Sequence, residues 1–360
     1  MKIGIIGLPS SGKTTVFNAL TRGRAQPGFG GGRGANVGVA HVPDDRLGAL
    51  AKIFKPRRVV NAEVTYVDLP GSHTGDMFSG EALGQLQKVD ALLLVARAFH
   101  NDAVPHPDGE VDWKRDLDKV SFDVTFADIA LLDRRIQRMQ EGMKSLKATE
   151  RDQVAKNVDI LKSIQVDLEN GTPVRDRPPS DAEKRAISDT FLLSKLPLLV
   201  AVNISDDDLP NVPSIQQELD AALQGSGVGG AVICGQLEMD LAQMTPEEEA
   251  EMRLGLDAGE SGLSRMIRLS YRVLGLVSFL TAGEDEVRAW TIEKDETAPE
   301  AAGAVHSDIS RGFIRAEVVG YDDFMSCGGL AEARTKGLLR QEGREYVVKD
   351  GDIVNFLFSV

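Results

Sequence analysis

Short apolar runs alternate with amphipathic stretches over the first third of this 360-residue chain. The runs Lys2–Ile6, Val59–Asp68 and Ala91–Ala98 have the length and composition of buried strands. Helical periodicity follows Thr14 and recurs at Ala82–Lys88. Because strands that alternate with helices build parallel sheets with crossover helices, we predict an α/β domain here.

The pattern changes at about Thr125, and charged residues then surround regularly spaced apolar residues as far as Ser194. The apolar stripe consists of Ile129, Leu132, Ile136, Met139, Met143 and Leu146. Such spacing is typical of a seam between packed helices and predicts a long helical hairpin. We place its break near Asn170–Pro173 and predict a further helix with Ser180 as its N-terminal cap.

The α/β pattern resumes with apolar strands at Leu196–Asn203 and Ala231–Cys234, which makes the helical block an insertion. Further strands are predicted at Arg288–Ile292, Gly312–Val319, Tyr346–Val348 and Val354–Val360. We therefore predict a discontinuous α/β domain (residues 1–124 and 197–285), a helical insertion (125–196) and a small C-terminal α+β domain (286–360).

The formal charge of −14 means that the overall field repels polyanions and disfavours nucleic-acid binding through diffuse positive charge. Arg22, Arg24 and Arg33 border the glycine-rich segment Gly28–Gly34, whose composition suits a switch loop that a ligand orders. These arginines form either a local basic patch or the solvated flank of that loop.

The two cysteines are too few for a disulfide framework. With no export leader and no apolar run near about 20 residues, we expect a cytoplasmic monomer without a membrane partner.

The strongest motif is G-x-x-x-x-G-K-[ST], which spans Gly7 to Thr14 between a predicted strand and a predicted helix. Its glycines permit a tight turn that aims backbone N–H groups at phosphate oxygens, and the helix N-terminus adds its dipole. Lys13 is expected to reach the β- and γ-phosphates, and the Thr14 hydroxyl to ligate Mg2+. The candidate nucleotide contacts in this P-loop are Gly7, Pro9, Ser10, Ser11, Gly12, Lys13, Thr14 and Thr15.

The segment Asp68–Gly71 follows an apolar strand and matches the D-x-x-G pattern of nucleotide switches. In that pattern the carboxylate approaches magnesium, and the glycine N–H senses the γ-phosphate. Asp68 therefore joins Thr14 as a metal-site residue. His73 either orients a water molecule or lies in a solvent-exposed loop, and the sequence leaves both open. The candidate catalytic residues are Lys13, Asp68, Gly71 and His73.

A third element, Asn203–Asp206, follows a predicted strand at the place where GTPases carry N-K-x-D. There the asparagine braces the P-loop region, and the acid pairs with the guanine ring. The lysine is absent here, which weakens strict guanine selection, although Asp206 keeps the carboxylate. Asn203 and Asp206 are thus candidate nucleotide contacts.

Three C-terminal strings are long and specific: FLTAGEDEVRAWTI at Phe279–Ile292, APEAAGAVHSD at Ala298–Asp308 and RGFIRAEV at Arg311–Val318. Tyr321–Phe324 and Lys349–Val354 continue the likeness. With the P-loop and the helical insertion, the chain resembles the YchF or Obg-like ATPase family of translation-associated P-loop proteins over nearly its full length.

The resemblance implies an α/β P-loop NTPase G domain, an inserted helical coiled-coil domain and a C-terminal ubiquitin-like TGS domain of the α+β class. It implies slow hydrolysis of ATP or GTP with Mg2+, association with the ribosome or ribosomal RNA, and Gln236 and Leu237 near the base. The family usually has Glu where this chain has Asp206, so the preferred base stays open. Five basic residues furnish either a ribosome contact or an ordinary mixed-charge surface: Arg311, Arg315, Arg334, Lys336 and Arg340.

The chain departs from this family in the catalytic half of the site. Ser10 stands where the family usually has an Asn associated with potassium-assisted hydrolysis. Gly34–Val39 offers no counterpart of the switch-I threonine, and Ser72 and His73 replace a hydrophobic residue after the D-x-x-G glycine. These differences leave an alternative open, a nucleotide-gated RNA- or ribosome-binding module with little turnover. A metabolic kinase is disfavoured, because the TGS-like tail has no role in small-molecule phosphorylation.

Overall fold

The computed structural model describes residues 1–23, 35–69, 78, 80–177, 179–223, 225 and 227–359. Its strands are β1 (Lys2–Ile6), β2 (Asn36–His41), β3 (Arg58–Val60), β4 (Glu63–Asp68), β5 (Ala91–Arg97), β6 (Leu198–Asn203), β7 (Val228–Ile233), β8 (Leu276–Ala282), β9 (Glu286–Glu293), β10 (Phe313–Gly320), β11 (Arg340–Glu342) and β12 (Asp352–Phe358). Its helices are α1 (Lys13–Leu20), α2 (Asp45–Phe54), α3 (Gly80–Leu86), α4 (Trp113–Gly142), α5 (Ala148–Glu169), α6 (Asp181–Ala186), α7 (Val212–Ala222), α8 (Gly235–Leu241), α9 (Pro246–Gly255), α10 (Gly262–Val273), α11 (Ala298–Val305), α12 (Ser307–Arg311), α13 (Tyr321–Cys327) and α14 (Leu330–Thr335).

The first sheet has the strand order β2-β4-β1-β5-β6-β7. β1 pairs in parallel with β4 and β5, and β6 pairs in parallel with β5 and β7. Every residue of β5 and β6 is buried, as expected of central strands in a parallel sheet covered on both faces. The predicted α/β P-loop fold is therefore confirmed, and the carboxyl ends of these strands carry the segments of the candidate site.

The second sheet has the order β11-β10-β12-β8-β9-β3. Antiparallel pairs join β8 to β9 and β10 to β12. Its core includes Phe279, Phe313 and Phe356 together with the small residues of α11. The predicted strand at Tyr346–Val348 is wrong, because only an isolated bridge from Val347 to Thr297 forms there.

The chain separates into two compact units, Met1–Val39 with Thr65–Met266, and Ala40–Val64 with Ile267–Val360. β3 and β8 lie in the second unit, although the predicted bounds assign both to the α/β domain. The helical insertion lies in the first unit. The division into three functional domains stays a prediction.

The helical insertion is a hairpin of α4 and α5, as the apolar stripe predicted, but its turn lies at residues 143–147. The break predicted near Asn170–Pro173 is present, because α5 ends at Glu169 and Gly171 takes the left-handed conformation that follows a helix, but it ends the hairpin instead of forming its turn. The predicted cap is confirmed, since Ser180 and Glu183 bond to each other's backbone N–H groups. Among the described helices, none has both the length and the apolar character to cross a membrane.

A buried carboxylate ties α4 to the segment that leads into β6. The two oxygens of Asp128 accept hydrogen bonds from the backbone N–H groups of Leu193 (2.8 Å) and Ser194 (2.7 Å). The Asp128 side chain is buried, and burial raises the pKa of its carboxyl group to about 6, against the opposing effect of these bonds. The hairpin is therefore anchored to the sheet by a group that titrates above its ordinary range.

We expect the contribution of Asp128 to the free energy of unfolding to decrease as pH rises from about 4 to about 6. The folded state binds a proton in this window, between the ordinary pKa of 3.8 and the folded pKa of about 6, that the unfolded state has lost. The full loss is about 3 kcal/mol, and it is complete above the folded pKa. Urea denaturation of the wild type and of Asp128→Asn at pH 5.0 and 7.0 measures the difference.

The wild type should lose more stability than Asp128→Asn between these pH values, because the variant has no carboxyl group to ionise. Asp133→Asn on the exposed side of α4 is the matched control and should follow the wild type. Equal pH dependence in the wild type and in Asp128→Asn would contradict the expectation.

Candidate functional site

The P-loop between β1 and α1 depends on backbone conformations that favour glycine. The φ angles of Gly7, Ser10 and Gly12 are +145°, +62° and +90°. A Cβ at Gly7 would collide with the carbonyl oxygen of Val95, and a Cβ at Gly12 would collide with the amide nitrogen of Asn203. Both motif glycines are therefore required by the geometry of their surroundings as well as by their own conformation.

Lys13 curls back over the loop that precedes it. Its ammonium group donates to the carbonyl oxygens of Gly7 (2.9 Å) and Leu8 (2.8 Å). Burial lowers the pKa of Lys13, while the negative charge of Asp68 opposes that shift. Because α1 begins at Lys13, the free N–H groups of the helix N-terminus and the ammonium group serve the same loop.

The remaining P-loop residues differ in exposure. Pro9 and Ser10 are exposed, Thr15 is half-buried, and Ser11 is buried with a hydroxyl that has no hydrogen-bond partner in the described part of the chain. Pro9 and Ser10 thus face solvent, whereas the Ser11 hydroxyl lies in the protein interior.

The side chains of Thr14 and Asn36 approach the same carboxylate oxygen of Asp68. The Thr14 hydroxyl donates to Oδ2 of Asp68 at 3.0 Å, and the Asn36 amide nitrogen lies 3.5 Å from the same atom. Asp68 is only 5% exposed, and its Oδ1 has no partner among the described residues. Burial raises the pKa of this carboxyl group, against the hydrogen bonds and the charge of Lys13.

This donor set fits a magnesium ion. Mg2+ prefers hard oxygen ligands, usually one or two from protein with the rest from phosphate and water. The Thr14 hydroxyl and the Asp68 carboxylate lie together here, and Oδ1 of that carboxylate has no partner in the described part of the chain. A nearby cation would also offset the cost of keeping Asp68 ionised in a buried position.

Asn203 joins the P-loop to the segment after β7. Its amide nitrogen donates to the Ser11 carbonyl (3.1 Å), and its amide oxygen accepts from the Gly235 N–H (3.0 Å). Asn203 is only 3% exposed. The structure therefore brings together the Gly7–Thr14 and Asn203–Asp206 elements, as the motif predicted.

The other residues predicted near the base follow β6 and β7 along the chain. Asp206 is exposed and begins a short 3-10 helix. Burial raises the pKa of the Cys234 thiol, and the charge of Asp206 adds to that shift. Leu237 is half-buried against the core of the first sheet, whereas Gln236 is exposed and bonds to Asp240 on its own helix. Their roles at a base stay predictions.

Several predicted residues lie outside the part of the chain that the structure describes. Gly71, Ser72 and His73 lie outside the described residues, as do Gly28–Gly34, Arg24 and Arg33. Arg22 is described, and it forms an ion pair with Glu249 at 3.6 Å.

Two polar residues of the site were not among the candidates. Arg97 ends β5 directly opposite Asn203, is only 1% exposed, and bonds to the carbonyl oxygens of Phe99 and Val104. The other is Asn36, the first residue of β2. The sequence signal for Arg97 is a charge that ends an unbroken apolar strand; for Asn36 it is a polar residue between a glycine-rich segment and a strand.

A second group of possible metal ligands lies near the start of α4. His106, Asp108 and Asp116 bring one ligand atom each within 4.8 Å of one another. The Asp108 N–H donates to Nδ1 of His106, so the ring proton lies on Nε2 and faces Asp116 at 2.8 Å. Asp116 also pairs with Arg115. These internal bonds already engage the histidine ring and Asp116, and they hold the loop that carries His106 against α4.

Of the five basic residues between Arg311 and Arg340 that could contact a ribosome, four form ion pairs. The pairs are Arg311 with Asp308, Arg334 with Glu317, Lys336 with Glu332, and Arg340 with Glu342. Of the two alternatives for these residues, the structure favours a mixed-charge surface.

The chain is similar to known proteins over its whole length. Residues 2–120 match a family described as 50S ribosome-binding GTPase, and residues 276–359 match the YchF GTPase C-terminal family, described as a protein of unknown function. The ribosome-binding ATPase YchF of Bacillus subtilis is 36% identical over 374 residues, with 99% of each chain covered. Its counterpart in Escherichia coli O157:H7 is 37% identical, with 100% of this chain and 99% of that protein covered. The Schizosaccharomyces pombe YchF GTPase structure superposes with a TM-score of 0.85 at 29% identity, covering 99% of this chain and 97% of that one.

We expect Asn203→Ala to weaken binding of a Mg2+-bound, non-hydrolysable ATP analogue at least tenfold. The variant leaves the Ser11 carbonyl and the Gly235 N–H without their partner and removes the brace that fixes the P-loop. The free energy of unfolding should fall by about 1–3 kcal/mol. Titration calorimetry and urea denaturation measure the two effects.

Asn61→Ala is the matched control, because Asn61 also donates an amide hydrogen bond, to Val42 at 2.9 Å, but lies in the other compact unit. It should leave nucleotide affinity unchanged. If Asn203→Ala bound nucleotide as tightly as the control does, the bracing role would be wrong.

Proposed function

The chain belongs to the YchF family of P-loop nucleoside triphosphatases, and on that premise we propose that it binds a purine nucleoside triphosphate with Mg2+ and hydrolyses it slowly. We further propose that this cycle operates a ribosome-associated switch in the cytoplasm, with a monomer as the working unit. The names of its relatives, ribosome-binding ATPases, support the ribosome as partner. The observation that carries the chemistry is the contact between Thr14 and Asp68, beside a buried Asp68 oxygen that no described residue bonds.

Thr14 and Asp68 are the residues that would hold Mg2+. When bound, the ion neutralises negative charge on the β- and γ-phosphates. The Thr14 hydroxyl and the Asp68 carboxylate already lie 3.0 Å apart, so little reorganisation of the protein is required to present both oxygens to one centre.

Lys13 would supply a further positive charge to the phosphates. Its ammonium group donates to two carbonyl oxygens of its own loop. Phosphate oxygens accept stronger, charge-assisted hydrogen bonds than carbonyls do, so nucleotide should draw Lys13 away from these partners. The backbone of Gly7–Gly12 and the N-terminus of α1 then hold the phosphates through N–H groups.

Base recognition is proposed for the segment held by Asn203. Asp206 is exposed at the start of its 3-10 helix and is free of the lysine that accompanies the acid in N-K-x-D. Asn203 fixes this segment relative to the P-loop, so the distance between phosphate and base sites is set before nucleotide arrives.

A nucleotide-gated binding module with little turnover is the second candidate. Ser10 and Asn36 favour it, because they stand at positions where the family resemblance implies other residues. Asn36 lies near Asp68 and supplies an amide in the region where a switch-I threonine would act. Such a protein would bind Mg2+ and nucleotide but would release phosphate very slowly.

We expect single-turnover phosphate release from Mg2+-ATP to be measurable in the wild type and to fall at least 100-fold in Lys13→Ala. The variant removes the ammonium group that stabilises the transferred charge. Lys156→Ala, an exposed lysine on α5, is the matched control and should retain the wild-type rate.

Calorimetry on the same proteins separates the two candidates. Tight binding by the wild type with no phosphate release would support the module and contradict the enzyme. Release that persists in Lys13→Ala would show that another protein or another site is responsible.

We expect ATP to bind at least as tightly as GTP, since the accompanying lysine of the guanine motif is absent. Titrations with Mg2+-bound, non-hydrolysable analogues of both nucleotides measure the ratio, and Asp206→Ala should change ATP affinity less than about threefold. Asp207→Ala, the exposed neighbour, is the control. GTP binding that is tenfold tighter and is lost in Asp206→Ala would instead make Asp206 a guanine-reading residue, and binding of neither nucleotide would overturn the proposed function.

A further inference from the structure

A groove of about 850 Å³ lies on the helical side of the first unit. Its walls are formed by α3, the middle of α4 and the loop at residues 189–191. Its floor is apolar and consists of Leu83, Leu131, Met139 and Phe191. Among the described residues, none of the P-loop, Asp68 or Asn203 lines the groove.

Two exposed arginines, Arg134 and Arg138, form what we call the rim of the groove. Arg134 uses only its Nε, which bonds to the carbonyl oxygen of Ala130 on its own helix. Within the described ranges, neither Arg134 nor Arg138 has a carboxylate at ion-pair distance, and both are exposed. Because arginine presents several donors in one plane, each guanidinium can still bind a carboxylate in a bidentate manner.

The third arginine of the groove is already engaged. Arg135 binds the Thr190 hydroxyl, the Ala186 carbonyl and the Asp189 carboxylate. These contacts fix the loop that carries Phe191, so this part of the groove lining is held in place. Asp189 pairs with Arg135 at 2.6 Å, so the described lining of the groove carries three arginines and one carboxylate.

We propose that this groove is a docking site for an acidic amphipathic segment of a partner protein. Apolar side chains of that segment would cover Leu83, Leu131, Met139 and Phe191, and its carboxylates would pair with Arg134 and Arg138. Charge complementarity points to an acidic partner, because the groove is positive on a chain whose net charge is −14.

The apolar floor favours a protein segment over a nucleic acid. A phosphate backbone would pair with the two arginines but would bury little of the floor, and exposed apolar surface of this kind is stabilised when another apolar surface covers it. An amphipathic helix satisfies both features, since residues spaced by three and four positions place apolar side chains on one face and carboxylates beside it.

Fluorescence anisotropy tests the proposal with the full chain. The probe is a pool of fluorescein-labelled 16-residue peptides with Leu, Phe, Met or Val at helical spacing and Glu or Asp between them. A composition-matched pool with the apolar positions scrambled, and a 20-nucleotide oligouridine, are the comparison ligands. We expect the patterned pool to bind at least tenfold more tightly than either of them at 150 mM salt.

Arg134→Ala with Arg138→Ala should weaken binding of the patterned pool at least tenfold. Lys144→Ala with Arg151→Ala, at the hairpin turn, removes the same charge and should retain binding. A photo-crosslinking amino acid at Gln87 on the groove wall should label the peptide, whereas the same group at Gln153 on α5 should not.

Three results would overturn the proposal. They are no binding by the patterned pool, equal binding of the scrambled pool, and preferential binding of oligouridine that the double arginine variant abolishes. The last would make the rim a polyanion contact. Circular dichroism of the variants checks that they remain folded, and all three outcomes are independent of whether the chain hydrolyses nucleotide.

Discussion

The candidate site depends on one buried amide. Asn203 bonds at the same time to the Ser11 carbonyl and the Gly235 N–H, and its Ser11 partner is 192 residues away along the chain. Position 12 requires a glycine, because the amide of Asn203 leaves no room for a Cβ there. The parallel pairing of β5 with β6 delivers Asn203 to this position, so the sheet, the P-loop and the base-side segment share one constraint.

The parts of the fold that local patterns determine were predictable. The strand–loop–helix at Gly7–Thr14 and the apolar strands of the first sheet follow from periodicity and glycine placement alone, and Ser180 is readable from its spacing to Glu183. The turn of the hairpin was not, because residues 143–147 contain neither Gly nor Pro, whereas Asn170–Pro173 contains both. That β3 and β8 belong to the second sheet could not be predicted from local patterns, because pairs such as Arg58 with Glu286 join segments that are far apart in sequence.

The site itself was predictable only as far as its motifs extend. Lys13, Thr14, Asp68 and Asn203 meet as expected, because each belongs to a fixed pattern with a fixed place at the end of a strand. The position of Asn36 beside Asp68 and the burial of Arg97 depend on how several strands pack together, and no local pattern specifies that. Burial lowers the pKa of Lys13 and raises the pKa of Asp68, so a ligand that favours the charged forms of these groups also stabilises the unit.

The length of α4 has a mechanical consequence. Its first half packs on the core of the first sheet through Val120 and Val124, whereas its second half packs on α5 through Leu132 and Ile136. With 30 residues the helix is about 45 Å long. About 27 Å of the helix lies beyond Val124, so a rotation of about 5° at the sheet would displace the far end by about 2 Å. The hairpin is therefore a lever whose far end moves more than the part that packs on the sheet.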